Sequence, residues 1–412
     1  MKISFKKHGK TISIKSLAML ALPLALSFNA CKKDPVAEPK PTPTPETPKE
    51  ALVLDHIKVN TVLEDRVSDP NVPDYLVNKN IAVLAELTIK PGVVIAFSQD
   101  SRLDINSNGS IVSVGEPNKK IRFTGQVAQR GYWSGIAIYS ISSINEFTHT
   151  EIMHAGSKPM FDNIKTAIGL FEQARVSLSS TTVAQSGGYG MYLRNKSILN
   201  TFAANRFTDN KEAPLMLTAE NIPQLDAATV FTGNNGRNVI EVMGSYIDGA
   251  DEITWPAFQD NTPYRFLGGI TTRTGWKLLP GTTIEVTENN MINIERGYIN
   301  AIGTADKKIT IHGAVKSTGT WKGITIYSKS ASNVMEHVKI SHAGGINMLG
   351  GTKATLALFG SNHANLSLRN SEISHSGGYG IHLFGKNASL NTDVEASNTF
   401  VANALSPVFA EH

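Results

Sequence analysis

The chain repeats itself once, in order and at nearly constant spacing, and no other feature constrains its fold as strongly. KKIRFTG at 119–125 returns as KKITIHG at 307–313, WSGIAIYS at 133–140 as WKGITIYS at 321–328, and HAG at 154–156 returns at 342–344. These three pairs are displaced by 188 residues. KPGVVIAF at 90–97 matches LPGTTIEV at 279–286 at a displacement of 189, and SGGYG at 186–190 recurs at 376–380 at 190. The drift falls where turns are expected: one residue is extra before Gly109 relative to Gly297, and two are extra between Phe359 and Leu366. A first copy over 51–238 and a second over 239–412, from an ancestral duplication, account for the pattern.

Each copy reads as short strands and turns. Ile121 and Phe123, Ile136 and Ile138, Val176 and Leu178, Ile309 and Ile311, Ile324 and Ile326, and Leu366 and Leu368 place apolar residues two apart, which is strand periodicity. Gly, Asn, Asp and Ser clusters such as NSNG, SGGYG and GNNG separate them. Only 211–228 is ambiguous, and no amphipathic helix alternates with the strands, which argues against a βαβ sheet. A pair of sandwiches, a propeller and a solenoid remain. Lone x-apolar-x-apolar pairs fit strands of three to five residues on successive coils, and recurrent turn Asn and Ser can stack in ladders, so a solenoid is expected.

LTIKPGVVIAF, INAIGTADKKITIHG, the W-x-G-I-x-I strands and HVKISHAG together resemble the right-handed parallel β-helix lipoproteins of Gram-negative bacteria, within the pectate-lyase-like solenoids. The resemblance spans nearly all of 51–412 and implies an all-β, right-handed parallel β-helix, tandemly duplicated and continuous. It implies coils of roughly twenty-odd residues, about sixteen in all, in a rod about 75 Å long at ~4.8 Å per coil. The segment before Leu87 and the C-terminal FVANALSPVFAEH are the expected caps.

The first thirty residues read as an address. Lys2, Lys6, Lys7, Lys10 and Lys15 precede the apolar run Leu17–Leu26, too short to span a bilayer, so 1–30 is expected to be a signal peptide. The only cysteine, Cys31, follows Ser27, Phe28, Asn29 and Ala30 in a segment that resembles the lipobox of bacterial lipoproteins. That resemblance implies lipidation at Cys31, and Lys32 rather than an aspartate after it implies outer-membrane sorting or cell-surface display. Residues 31–50 are the expected tether, and its stretch 35–50, with six prolines in sixteen residues, is expected to be a stiff spacer of roughly 50 Å at ~3.1 Å per residue. Without 1–30 the chain carries 34 basic against 35 acidic groups, which argues against a nucleic-acid partner. The single cysteine excludes a disulfide framework and Cys-rich metal sites.

Catalytic signatures of β-helix enzymes are weak here. Asn391-Thr392-Asp393 starts a polygalacturonase-like set that nothing downstream completes, and no carboxylate pair recurs in both copies. Asp104-Ile-Asn106-Ser-Asn108-Gly109 begins like a calcium loop, but Gly115 stands where the closing Glu belongs, so neither cofactor nor metal is expected and calcium is the sole cation with any motif. His149 and His154 correspond to His337 and His342 and read as stacked turn residues bonded to nearby backbone. Trp133 and Trp321 are expected to plug the core. Tyr139, Tyr189, Tyr327 and Tyr379 are the candidate glycan-binding residues, because aromatic rings stack on sugar faces and duplicated coils offer repeated subsites. The expectation is a monomeric, surface-anchored, non-catalytic adhesion module for polysaccharide. A polysaccharide lyase or glycoside hydrolase with a non-duplicated site, and a purely structural envelope protein, are the alternatives.

Overall fold

The structure is a computed structural model that describes residues 50–194, 196–348 and 351–411. Cys31, the leader and nearly all of the tether lie outside the described residues. The described residues belong to one compact unit, Pro48–His412, and it is a parallel β-helix. Every pair of neighbouring strands is parallel, and each strand inside a sheet bonds to one in the coil before and one in the coil after. Among the described residues no helix is long and apolar enough to cross a membrane.

Each coil has three sides. In the first half these build an eight-stranded sheet from Leu52–Val53 to Val230–Gly233, a six-stranded sheet from Thr61–Leu63 to Ile198–Ala203, and part of a thirteen-stranded sheet. In the second half a seven-stranded sheet runs from Ser245–Ile247 to Val408–Ala410 and a six-stranded sheet from Ile253–Trp255 to Ser389–Leu390, while the thirteen-stranded sheet continues to Thr399–Val401. The expected caps are themselves coils: the stack begins at Leu52 and ends at Ala410. The coils are longer and fewer than the sixteen expected, because inserts such as 155–165 and 343–353 sit between sides.

Two-residue periodicity explains the packing. In Ile81–Val83, Tyr75–Val77 and Ile270–Thr272 the outer two residues face inward and the middle one faces out. Stacking then aligns apolar side chains in rows, such as the one from Ile81 through Leu103 and Ile136 to Ile373 and Phe400. Each such buried side chain stabilises the fold by roughly 1.5–3 kcal/mol. Trp133 and Trp321 are fully buried, and their indole N–H groups donate to Met153 O at 2.7 Å and Ser341 O at 3.0 Å. Asparagines bridge coils as well: Asn145 accepts from Ile111 N, and its repeat partner Asn333 accepts from Ile299 N, each at 3.0 Å. His149, His154, His337 and His342 all take left-handed turn conformations, φ 45–64°. In SGGYG the second glycine is obligatory in both halves: a Cβ on Gly188 or Gly378 would meet the Lys165 or Lys353 carbonyl oxygen at 2.0 Å.

The two halves are out of phase. Ile121–Gly125 lies in the eight-stranded sheet, but its sequence partner Ile309–Gly313 lies in the thirteen-stranded sheet. Likewise Gly135–Ile138 belongs to the thirteen-stranded sheet and Gly323–Ile326 to the seven-stranded one. Between Ile121–Gly125 and Ile309–Gly313 the chain passes twenty-two sides, counting the 3-10 segment Ala219–Gln224 as one; that is seven full coils and one side over. Equivalent residues therefore face different directions. At this seam Ala219–Gln224 replaces a strand, in the stretch whose sequence is ambiguous, and packs between Ile198–Ala203 and Ser245–Ile247.

Candidate functional site

The four tyrosines occupy four different settings. Tyr139 stacks on Phe171 with ring centroids 5.1 Å apart, in an outer cluster with Tyr192, Met160 and Ile164. Tyr327 stacks on Phe359 at 4.4 Å in the matching second-half cluster, which includes Met348 and Phe384. Burial raises the phenol pKa of both. Tyr189 donates its hydroxyl to Glu241 Oε2 at 2.7 Å, and Arg237 holds the other oxygen of that buried carboxylate at 2.6 Å. Burial first, and then the Glu241 carboxylate, push the Tyr189 phenol far above its ordinary range. Tyr379 stacks on Phe409 at 4.6 Å. The phase shift puts Tyr139 and Tyr327 on different sheets, so the repeat does not line them up as subsites along one face.

Residue by residue, the second-half cluster is the more polar. Ala137, Ile164 and Ala167 of the first half become Thr325, Thr352 and Thr355, and Tyr192 becomes His382. Thr325 bonds to Asn293 Oδ1 at 2.9 Å, but the hydroxyls of Tyr327, Thr352 and Thr355 and Nδ1 of His382 are buried with no partner among the described residues. His382, whose side chain is 6% exposed, faces Glu411 Oε1 through Nε2 at 3.1 Å. His382, Tyr379, Phe409, Glu411, Thr352 and Lys353 line an open cleft of about 400 Å³. Phe409, 37% exposed, presents a ring there.

The turn histidines also differ between halves. His154 shares a hydrogen bond with Thr124 Oγ1 at 2.9 Å, whereas His342 bonds to Ser341 Oγ at 3.0 Å and stacks on His375 at 5.3 Å. Their rings thus bond to hydroxyls rather than to the expected backbone. Burial lowers the pKa of both, and in His342 the neighbouring His375 and His312 add to the effect.

The weak motifs take structural roles. Asp104 lies on a strand with both oxygens held by Arg102, at 2.6 and 3.0 Å. Asn391 accepts from Leu368 N and donates to Asp393, which pairs with Arg369. Among the described residues no group of three or more His, Cys, Asp or Glu side chains is placed to hold a metal ion.

Phe171 with Phe359, and Met160 with Met348, escaped the sequence reading although each pair obeys the same 188-residue displacement. His382 and Phe409 were legible only as departures from the repeat. Searches against family models, curated proteins and solved structures return no match.

Proposed function

We propose that this chain is a lipoprotein, acylated at Cys31 and displayed on the outer membrane by its proline-rich tether, whose β-helix binds a polysaccharide without cleaving it. The basic and apolar leader, the sole cysteine and the six prolines support the anchoring. A duplicated ancestor of the pectate-lyase-like type is the proposed origin of the repeat. The binding reading rests on one observation: the second-half cleft joins a stacked Tyr379–Phe409 pair to buried donors and acceptors that the protein leaves unpaired. A sugar offers an apolar C–H face to the rings and hydroxyls to the polar atoms, and a ligand that pairs them relieves their desolvation penalty.

His382 and Glu411 form a pair capable of moving a proton, which is what a cleaving enzyme would use. One experiment separates the readings. The full chain purified in detergent is passed over acidic and neutral polysaccharides, with and without calcium, while retention and new reducing or unsaturated ends are measured. Retention without new ends is expected. Phe409→Ala should weaken retention about tenfold and Tyr139→Ala should leave it unchanged. Sustained formation of new ends establishes the enzyme, and neither retention nor cleavage leaves a structural envelope role. Separately, Cys31→Ser should release the protein from the membrane fraction.

A further inference from the structure

The seam carries a cavity that the repeat itself does not predict. A 3-10 turn directs its backbone bonds within the segment rather than to the coils above and below, so Ala219–Gln224 interrupts the strand ladder on the side it occupies. Side chains make the cross-coil bonds instead: Leu199 N donates to Asn221 Oδ1 at 2.9 Å, Asn221 Nδ2 to Ser197 O at 2.7 Å, and Ala219 N to Ser245 Oγ at 3.1 Å. Beside them opens a cleft of about 680 Å³, lined among others by Lys196, Ser197, Thr218, Glu220, Tyr246 and Asp248. Ser197 and Thr218 are 1% and 4% exposed, and neither hydroxyl has a partner among the described residues. Tyr246 is 54% exposed, and the Arg273 guanidinium lies 4.1 Å from its ring centroid, held by Glu295 at 3.0 Å.

We propose that this seam cleft is a second saccharide site, specific for neutral sugars. The Tyr246 ring supplies a fixed stacking face, Glu220 and Asp248 accept from sugar hydroxyls, Lys196 donates, and the two orphaned hydroxyls gain partners. With Arg273, which pairs with Asp248 at 3.8 Å, two carboxylates stand against two cations, so the cleft has no excess positive charge with which to hold a polyuronate. The volume is that of a small-molecule site and suits a short oligosaccharide segment. The site is independent of the Phe409 cleft, yet register ties them together. Tyr246, Thr271, Asn293, Thr325, Ala357, His382 and Phe409 form one row of directly paired residues along the seven-stranded sheet. Six strand spacings separate its ends, about 29 Å at ~4.8 Å each. Thr325 and Ala357, midway along that row, are fully buried, Ala357 against Met348 and Phe359, so a long neutral glycan that engages both sites passes over this insert, with the gain that simultaneous contact gives.

The test titrates the full chain in detergent with cellohexaose, maltohexaose, xylohexaose and hexagalacturonate by calorimetry. At least one neutral hexasaccharide should bind at two sites in the wild type. Tyr246→Ala, on an exposed side chain, should weaken one of them about tenfold and spare the other, with the melting temperature unchanged. Thr218→Val, which removes a hydroxyl without altering shape, should weaken the same site. Phe409→Ala should affect only the other site. A single site lost with Tyr246→Ala but not with Phe409→Ala upholds the seam and overturns the second-half cleft. Binding indifferent to both seam variants, a preference for hexagalacturonate at the seam, or no neutral binding at all overturns the proposal.

Discussion

The outer clusters around Tyr139 and Tyr327 share their framework and differ in how completely they satisfy themselves. Both stack a tyrosine on a phenylalanine beneath a methionine-bearing insert. In the first half, Ala137 and Ile164 close the cluster with apolar atoms, and Ala167 packs into the main core beside it. In the second, threonines and a histidine stand at the matching positions, and four of the buried polar atoms there lack partners among the described residues. Each orphan costs about 1–3 kcal/mol, a cost the first half shows to be avoidable on the same framework. The difference is what supports the proposed binding site in the second half, and the core beneath both clusters supplies the control.

The core sets the largest expected effect. Trp133→Ala and Trp321→Ala should each destabilise by about 3–5 kcal/mol in urea unfolding, since both rings are fully buried and both anchor a coil through the indole N–H. A large cost at one and a negligible cost at the other would break the equivalence of the two cores. The outer clusters should respond in opposite senses. Ala167→Thr puts a hydroxyl into the apolar core beside the first cluster and should cost about 1–3 kcal/mol, while Thr355→Val at the matching position removes an orphan and should stabilise by about 1 kcal/mol. Equal and opposite signs lost in the measurement would mean that the second-half hydroxyls are satisfied in solution.

The smallest effect is on acid sensitivity. Burial depresses the folded-state pKa of His342 below its ordinary 6.5, and His375, His312, Lys316 and Lys339 oppose its protonation further. The folded state then binds fewer protons than the unfolded one below that pH. Stability is thus highest above about 6.5 and falls as the pH drops towards the lowered folded value. His375→Gln recreates the Gln185 neighbour of His154, which raises rather than lowers that ring's pKa, and should flatten the acid limb of a melting-temperature profile. A profile unchanged by the substitution would show that the imidazole stack does not govern it.

Much of this was readable in the chain. Alternation at Ile121 and Phe123 or Ile324 and Ile326 fixes which side chains turn inward, because a pleated strand leaves no other choice. The constant displacement likewise makes Trp133 and Trp321 equivalent, and large apolar rings opening the W-x-G-I-x-I strands belong in a core. The phase between halves was not readable, because it depends on the number of sides rather than the number of residues, and inserts such as 155–165 lengthen the chain without adding a side. The seam cleft was hidden for a related reason. Tyr246 belongs to no recurring motif, and Ala219–Gln224 lacks both strand and long-helix periodicity. The orphaned hydroxyls are likewise products of packing, since a threonine in sequence carries no sign of whether its partner is absent.

Of the three sheets in each half, only the thirteen-stranded one crosses the seam, through the pairing of Leu215–Leu217 with Ile240–Val242. In a stacked repeat each coil draws its stability from itself and its two neighbours, so cooperativity passes along the stack only as well as adjacent coils are coupled. Two of the three ladders stop there, which makes the seam the natural boundary between unfolding blocks. Heat or force applied to one half can melt it while the other keeps its register, so a molecule built as one continuous helix would fail as two.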